Sequence, residues 1–503
     1  KNLVNGIANE TEGYKNLVNG IANETEGYKN LVNGSFNETE GSKNLVNGSN
    51  NLTLGSKNLV NGLDNTTVGS RNLVAGAGNK TTGIKNTVTG LGNKATGAEN
   101  LVTGLGNKAV GDNNEVAGLG NKAVGDNNKV TGMRSGAVGD ENIVSGLGNK
   151  AAGDKNNVTG TDNKVIGDNN QVSGKDNLAL GDKATIKGEN NTVTGKLNNV
   201  TGKDNYVAGR ANTNVGKGSI TAGLYNKVKG DNNITDGRSN EVEGHNNIAD
   251  GRKNKVEGDL NVASGRSNEV NGSNNSVTGI INKVTGEANI VDGIENTIKG
   301  NDNIASGKNN IIKGNNSTSY GRNNEINSTD GTAVGNDNKV TGDNSLAMGI
   351  GNTVKGSSST VVGYKNIVTG NNSGAFGDPN HVTGNGSYVL GNDNTVAGDK
   401  NFVLGNNVNI GAGISNSVAL GDSSTVTTSN EVSVGSDTVK RRITNVGDGD
   451  YSATSTDAVN GKQLYNAVKG VEGEINNVKD EVTHVGSLSA ALAGLHPMQY
   501  DPK

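Results

Sequence analysis

The sequence predicts an all-β solenoid of fourteen-residue coils, followed by a short helical stalk. Glycine recurs at every seventh residue from Gly6 to Gly405 and fills 57 of 58 positions, with Ser328 as the exception. Two residues before every second glycine, 28 of 29 positions are Val or Ile, and Asn214 is the exception. The third observation is a run of apolar residues at heptad spacing near the C-terminus. The repeating unit therefore has two unequal halves of seven residues each.

Each half of the unit predicts one strand and one turn. In NLVNG at 2–6 and NKAVG at 107–111, apolar residues alternate with polar ones, which is typical of a strand. The glycine that closes each run suits a turn with positive φ. Two strands and two turns make one coil, and stacked coils would lie about 4.8 Å apart. Collagen is excluded because its glycine recurs every third residue, and Gly-rich disorder would not require Val at every fourteenth position.

The composition agrees with a thin solenoid. The chain has 503 residues, 3% aromatics, no Trp, no Cys and a net charge of −4. A solenoid needs no thick core, because each coil packs only on its neighbours. Charges of both signs are interspersed, so we expect no basic stripe and no nucleic-acid partner. No apolar run approaches about 18 residues, so no transmembrane helix is expected. The N-terminus has no charged-then-apolar leader, so a secreted form would already be processed.

Outward apolar residues form a column that changes halves along the chain. Up to about residue 170 a Leu precedes the Val, and strand alternation places it outside the coil. From about residue 178 an outward apolar pair lies in the other half instead. A column of this kind predicts that several chains associate along it. The residues concerned are Leu3, Leu17, Leu31, Leu45, Leu59, Leu73 and Leu101, then Leu178 and Leu180, Leu346 and Met348, Tyr388 and Leu390, and Phe402 and Leu404.

The repeat ends in a change of register and is followed by a helical pattern. Gly405 and Gly421 are sixteen residues apart, and residues 440–464 lack the glycine ladder. Apolar residues then alternate at spacings of four and three, which is typical of a coiled coil, and the β-branched side chains favour a trimer. A plain amphipathic helix is the alternative. The seam consists of Leu464, Val468, Val471, Ile475, Val478, Val482 and Val485.

Three groups of motifs make the chain similar to the trimeric autotransporter adhesins of the YadA type. The head motifs resemble that family's S-V-A-I-G repeat, the next two resemble its neck, and the last resembles the start of its membrane anchor. The head motifs are SLAMG at 345–349, NFVLG at 401–405 and SVALG at 417–421; the neck motifs are RRITNV at 441–446 and TDAVN at 456–460 before Gln463-Leu464; the anchor motif is SLSAALAGLHPMQYDP at 487–502.

This resemblance implies a fold and an organisation. A left-handed parallel β-roll head at 1–437, in a homotrimer, would precede a neck at 438–463, a coiled-coil stalk at 464–486 and the start of an outer-membrane anchor at 487–503. The four barrel strands that follow in the family are absent from the chain. The head departs from the family in placing Val at the inner position of one half and in a ladder of asparagines. That ladder begins with Asn2, Asn9, Asn16 and Asn23.

The resemblance also implies a function. The chain would be the extracellular passenger of a surface adhesin that binds a host receptor through its head. The Asn-rich motifs are most similar to the CEACAM-binding adhesins of the family, so a CEACAM-type receptor is the expected partner. Collagen or fibronectin binding, and a passive surface coat or autoaggregation, are the alternatives. No receptor-binding residue is identified by the motifs.

The residues predict neither an enzyme nor a metal or cofactor site. Of the histidines His245, His381, His484 and His496, none has a second ligand at metal spacing. Asp112-Asn113-Asn114 and similar runs are interpreted as turn formers. No coil carries an insertion from which a catalytic cleft could be built. Ice binding is disfavoured because the outward pairs vary, and Lys440-Arg441-Arg442 are expected to pair with acids of a neighbouring chain. The varying pairs are Glu10 and Glu12, Lys94 and Thr96, Tyr206 and Ala208, and Ile248 and Asp250.

Asn214 interrupts the Val positions, and two interpretations remain open. It is either a tolerated defect with a hydrated side chain or the boundary between two segments of the head. In the second case the N-terminal segment would be the one more exposed to ligand.

Overall fold

A computed structural model describes residues 1–495, and it confirms the solenoid and the helix. Strands from Leu3 to Ser433 alternate between two parallel sheets, which we name sheet A and sheet B. Each strand pairs with the strand one coil further along, as in Val4 with Val18. The predicted fourteen-residue coil is therefore the structural unit.

Sheet A contains thirty strands that start from the Val half of the unit. The first sixteen have five residues each and recur every fourteen residues, from Leu3–Ile7 to Thr213–Lys217. The remaining strands are shorter or mixed in length. They are Lys227–Lys229, Glu241–Glu243, Lys255–Glu257, Glu269–Ser273, Lys283–Glu287, Thr297–Lys299, Ile311–Lys313, Glu325–Ile326, Lys339–Val340, Thr353–Val354, Ile367–Val368, Asn380–Val382, Asn394–Val396 and Asn409–Ile410.

Sheet B contains the thirty-one strands of the other half. Its strands recur every fourteen residues up to Phe402–Leu404, and their length changes in blocks. Five-residue strands run from Glu10–Tyr14 to Lys94–Ala98 and from Thr192–Lys196 to Thr360–Tyr364, and three-residue strands run from Lys108–Val110 to Leu178–Leu180. The last strands are Gly374–Gly377, Tyr388–Leu390, Phe402–Leu404, Val418–Leu420 and Val432–Ser433. The sixteen-residue step expected at the end of the repeat is present, because Phe402 pairs with Val418.

The core is a narrow stack with one inward side chain per strand. Sheet A contributes Val or Ile, and sheet B contributes Thr, Ala or Val, nearly all of them completely buried. The buried apolar residues form two groups, from Val18 to Val207 and from Val242 to Val426. Asn214, which is also completely buried, lies between the two groups. This division agrees with the interpretation of Asn214 as a boundary inside the head.

Asparagines form two further buried columns, one at each turn. The Oδ1 atom of Asn23 accepts the backbone N–H of Asn37 at 3.1 Å and its side-chain N–H at 2.9 Å. The Nδ2 atom of Asn23 also donates to the Gly34 carbonyl at 2.8 Å. These residues are therefore rungs that join one coil to the next, because buried amides need partners. The interpretation as turn formers alone was incomplete.

Glycine is required where stacked turns touch. Gly90 has φ of 112°, and a Cβ atom there would lie 2.0 Å from the Gly104 carbonyl oxygen. Ser328 escapes this requirement in part, because the glycines at the equivalent position of the sheet A-to-B turns, from Gly314 to Gly398, do not have positive φ. Sheet A shortens to two-residue strands in the same region, as in Glu325–Ile326. The exception in the glycine row thus lies where the turn itself changes conformation.

Residues 434–460 contain neither helix nor strand, and one α-helix, α1, spans Gly461–Ala493. The helix begins three residues before the predicted stalk at 464–486 and continues into the predicted start of the anchor at 487–503. Residues 496–503 of that anchor segment, with His496, lie outside the described residues. Within residues 1–495 no helix is long and apolar enough to span a membrane.

Candidate binding surface

The candidate site is the outer surface of the rod, since the coils form no cleft with long loops. Strand alternation puts an outward residue on each side of every inward one. In one coil, for example, Ile143 and Ser145 flank the buried Val144. The surface therefore consists of columns of residues spaced fourteen apart, along two faces and two turns.

The outer face of sheet B carries an apolar column along most of the rod. From Val110 to Leu180, the apolar residue is the one directly after the inward residue of each strand. From Leu178 to Ile304 it is the one directly before the inward residue, and from Tyr320 onward it is again the one directly after. The outward pair that the sequence predicts from about residue 178, Leu178 and Leu180, lies on this face, and single outward apolar residues such as Val110 precede it. The column comprises Val110, Val124, Val138, Ile166 and Leu180; then Leu178, Ile220, Ile234, Ile248, Val262, Ile290 and Ile304; then Tyr320, Val334, Met348, Val362, Phe376, Leu390, Leu404 and Leu420.

Many of these side chains are exposed in the single chain. Val138 is 49% exposed, Ile234 45% and Leu390 51%. An apolar column of this length is typical of an interaction surface. The leucines of sheet A near the N-terminus, such as Leu31 and Leu45, are in contrast half-buried.

In the first three coils the same face of sheet B is acidic. Six glutamates replace the apolar column there, at Glu10, Glu12, Glu24, Glu26, Glu38 and Glu40. Like charges on one face oppose the packing of that face against a copy of itself. The N-terminal coils therefore differ in surface chemistry from the rest of the rod.

The turn from sheet B to sheet A carries an aromatic and basic cluster in the first coils. The rings of Tyr14 and Tyr28 are stacked with centroids 6.1 Å apart and planes within 8°. The Lys15 ammonium lies 5.3 Å from the Tyr14 ring centroid, and the Lys29 ammonium lies 5.0 Å from that of Tyr28. The Lys29 ammonium lies beside the Tyr28 hydroxyl and lowers the pKa of Tyr28. Exposed aromatic side chains of this kind are frequent anchors in protein interfaces. The sequence motifs did not identify them.

Arg441, in the predicted neck at 438–463, attaches its segment to the last coils. Its guanidinium donates to the Val434 carbonyl at 2.9 Å, to Ser424 Oγ at 3.1 Å and to the Asp422 carbonyl at 2.6 Å. The expectation for this basic run was a pairing with acids of a neighbouring chain. Arg441 instead closes the end of its own solenoid.

A hydrogen-bonded cap begins the helix. The Asn460 side chain accepts the Gln463 backbone N–H at 3.0 Å, and the Gln463 side chain accepts the backbone N–H of Asn460 at 3.2 Å and that of Gly449 at 3.0 Å. This is a capping box, which satisfies free N–H groups of the first turn. Asp448 accepts the Asn460 side-chain amide at 2.7 Å and contacts Lys462, and both interactions lower the pKa of the Asp448 carboxyl.

All seven residues of the predicted heptad seam are exposed on the isolated helix. Their exposed fractions range from 47% at Val468 to 66% at Val482. No residue of α1 is buried. A helix with an exposed apolar seam is stable in water only when other helices cover that seam.

In residues 1–495, no group of three or more His, Cys, Asp or Glu side chains is placed so that it could hold a metal ion. His245 accepts the Asp231 backbone N–H at 3.1 Å on a turn, whereas His381 lies on a strand of sheet A and His484 on α1. The three described histidines are thus distributed over separate elements.

Comparison with known proteins gives two family matches. Residues 442–485 match the family model described as the coiled stalk of trimeric autotransporter adhesin. Four overlapping segments, 93–181, 173–265, 253–328 and 313–405, match the model described as the grass antifreeze beta roll. Among the curated proteins, none matches the chain.

The solved structures that match include the collagen-binding domain of the Yersinia adhesin YadA. It shares 22% identity, covers 28% of this chain and 86% of its own, and has a TM-score of 0.22. At that TM-score the similarity supports no argument about ligand or assembly. Statements about the family of this chain therefore rest on the stalk and β-roll family matches alone.

Proposed function

Because residues 93–405 belong to the β-roll family and residues 442–485 to the coiled stalk of the trimeric autotransporter adhesins, we propose that the chain forms the extracellular rod of a bacterial adhesin. Three chains associate through the stalk seam and the sheet B column. The rod stands on the outer membrane and holds the cell to a host surface by direct protein contact.

The exposed stalk seam at the end of a long rod is the observation that carries this proposal. Thirty coils at about 4.8 Å give a head roughly 140 Å long, and the 33 residues of α1 add about 50 Å. Such a rod separates its N-terminal coils from the membrane. Three copies in each rod raise the effective concentration of a weak contact site.

The N-terminal coils are the part we assign to first contact with the partner. They are farthest from the stalk, and their acidic sheet B face opposes close packing of the three chains. They also carry the exposed Tyr14 and Tyr28 rings flanked by lysines. A CEACAM-type receptor remains the preferred partner through the resemblance of the Asn-rich motifs, with collagen or fibronectin as the alternative.

A pair of deletions tests this assignment. Removal of residues 1–42 and, as a control, removal of residues 253–294 each delete three whole coils and leave the repeat in register. Cells that display each form on a trimeric membrane anchor are measured for adhesion to receptor-bearing epithelium and to collagen- or fibronectin-coated surfaces. We expect the first deletion to abolish adhesion and the second to preserve it. If cells with the full-length chain and with either deletion adhered equally to bare and to coated surfaces, the result would contradict binding to a host receptor and would favour a passive surface coat.

The antifreeze name of the β-roll model suggests ice binding as a second function, but the surface disfavours it. An ice lattice is periodic, so its recognition needs outward residues that repeat in every coil. In successive coils of sheet A the first outward residue is Leu101, Glu115, Lys129 and then Ile143. We therefore assign the shared features to the coil geometry alone.

A further inference from the structure

Two columns of opposite charge border sheet B in the middle of the N-terminal half. The lysines occupy the first outward position of successive strands, and the aspartates follow the other end of the same strands. The lysine and the aspartate of one coil are four residues apart in the sequence, so the columns are about 13 Å apart. The lysines are Lys80, Lys94, Lys108, Lys122, Lys150 and Lys164, and the aspartates are Asp112, Asp126, Asp140, Asp154, Asp168 and Asp182. No basic stripe was expected from the interspersed charges, but lysines fourteen residues apart stack into one column and form one.

The aspartate column is rigid. The Oδ1 atom of Asp126 accepts the backbone N–H of Asp112 at 2.7 Å, and Asp140 accepts that of Asp126 at 2.7 Å. In the next two coils, the Oδ1 atom of Asp154 accepts the backbone N–H of Asp140, and that of Asp168 accepts the backbone N–H of Asp154, both at 2.8 Å. Each of these carboxylates is thus held in place by a hydrogen bond to one of its oxygens.

The charges of these columns have few partners within their own chain. Among the described residues 1–495, no carboxylate lies within 4 Å of any of the six lysines, and Asp182 alone has an ammonium that close, that of Lys196 at 3.8 Å. Like charges stacked about one coil apart repel each other unless opposite charges approach. Both columns therefore favour a partner that carries the opposite charge at the same spacing.

An apolar stripe separates the two columns. Its members include Val124, Val138 and Ile166, and it forms one wall of a groove of about 380 Å³ beside Gly136. Gly136 is the one gap in the lysine column, and Arg134, two residues earlier in the adjoining turn, lines the same groove. Each coil from Lys80 to Lys164 consequently keeps one cation on this edge.

A closed three-fold assembly brings unlike edges together. Its interfaces are head-to-tail, so one edge of a protomer meets the opposite edge of the next. A face with lysines on one edge, aspartates on the other and an apolar stripe between them is complementary to copies of itself around such an axis. The spacing also matches, because all copies have the same coil height.

We propose that the partner of each column is a second copy of this chain, with the lysine edge of one protomer paired to the aspartate edge of the next. This inference rests on the homotrimer of the proposed function and adds a residue-level interface to it. The aspartate column starts two coils after the lysine column and ends one coil after it. The two columns overlap in the coils from Lys108 to Lys164. A closed three-fold rotation holds the three copies at one axial height, so each lysine there faces an aspartate of the same or an adjacent coil in the next protomer.

Cysteine cross-linking tests the pairing directly, because the chain contains no cysteine. Lys122→Cys is combined in one full-length chain with Asp126→Cys, Asp140→Cys or Asp154→Cys, and each protein is oxidised. We expect the first or second combination to give a covalent trimer on a denaturing gel. Lys122→Cys alone should give no covalent product, since lysine edges do not meet.

Val471→Cys in the stalk seam is the control for assembly, because it should give covalent dimers in any trimer. If it cross-links while all three double variants do not, the inference is overturned and the trimer stands. If it does not cross-link, the proposed trimer fails first. A covalent dimer from Lys122→Cys alone also overturns the inference.

Charge reversal provides an independent measurement. Lys108, Lys122 and Lys150 are changed to Asp in one variant, Asp126, Asp140 and Asp154 are changed to Lys in a second, and both sets are combined in a third. We expect the first two to lower the melting temperature of the head and the third to melt above the second, since both of these lack the hydrogen bonds from backbone N–H groups to the aspartates. A third variant that melts no higher than the second, or capture of the wild type by immobilised sulfated polysaccharide that the first variant loses, would assign the lysines to another partner.

Discussion

The side-chain amide of Asn214 donates to Thr221 Oγ1 at 3.0 Å across the interior of one coil. Both residues are completely buried, and the Oδ1 atom of Asn214 has no hydrogen-bond partner. The two polar side chains lie between the apolar groups that end at Val207 and begin at Val242. One half-satisfied pair thus interrupts the core of the head.

Replacement of this pair should strengthen the coil. An unsatisfied buried polar atom costs about 1–3 kcal/mol, so Asn214→Val combined with Thr221→Val should slow hydrogen exchange in residues 211–238. Asn214→Val alone should do less, because it leaves the Thr221 hydroxyl without a partner. Equal exchange in the wild type and the double variant would show that the pair does not weaken the rod.

Inward threonines weaken the first six coils in the same way. The hydroxyls of Thr11, Thr25, Thr39, Thr53, Thr67 and Thr81 are buried without a partner. Thr81→Val should raise the stability of its coil by about 1 kcal/mol, because it removes an unsatisfied hydroxyl at nearly constant volume. Thr82→Val, one residue away on the outer face, is the matched control and should change little. Limited proteolysis of residues 71–98 compares the two, and equal protection would refute the assignment of faces.

Substitution of two glycines of one turn distinguishes the stability cost of a steric clash from the cost of an unfavourable backbone conformation. Gly90→Ala would place a Cβ atom 2.0 Å from the Gly104 carbonyl, whereas the Cβ atom of Gly92→Ala meets no atom within 4 Å. Gly92 has φ of 66°, close to the 60° of Lys15 at the equivalent position of another turn. We expect Gly90→Ala to destabilise the coil by several kcal/mol, as a forced backbone shift does, and Gly92→Ala to cost about 1 kcal/mol. Thermal unfolding measures both, and similar melting temperatures would contradict the stacking geometry.

The start of the helix should depend on pH through Asp448. Its folded pKa lies below the unfolded value of about 3.9, so its contribution is complete above that value and is lost as pH falls through the folded pKa. Circular dichroism between about pH 2 and 5 should therefore show a loss of helix that Asp448→Asn does not show. Asp480→Asn, on the exposed surface of α1, should retain the transition. An identical pH response in all three proteins would exclude Asp448 as its source.

Periodicity in the sequence was sufficient to predict the coil, because Gly and Val occupy positions where a Cβ atom or a polar group cannot be accommodated. It did not identify the buried asparagine ladder, since Asn is common in turns and the sequence does not say which way it faces. The Lys and Asp columns were missed because net charge averages over residues that only the fourteen-residue spacing brings together. The capping box at Asn460 and Gln463 was overlooked for a different reason, because it depends on the exact first residue of the helix.

The most direct test of the account is the molar mass of the full-length chain in solution. Light scattering at micromolar concentration should give about 153 kDa, three times the 51.1 kDa of one chain. The mass should persist on dilution, because the stalk seam and the sheet B column are both covered only in the assembly. A mass of 51.1 kDa at that concentration would leave both apolar surfaces in water and would contradict the trimeric rod.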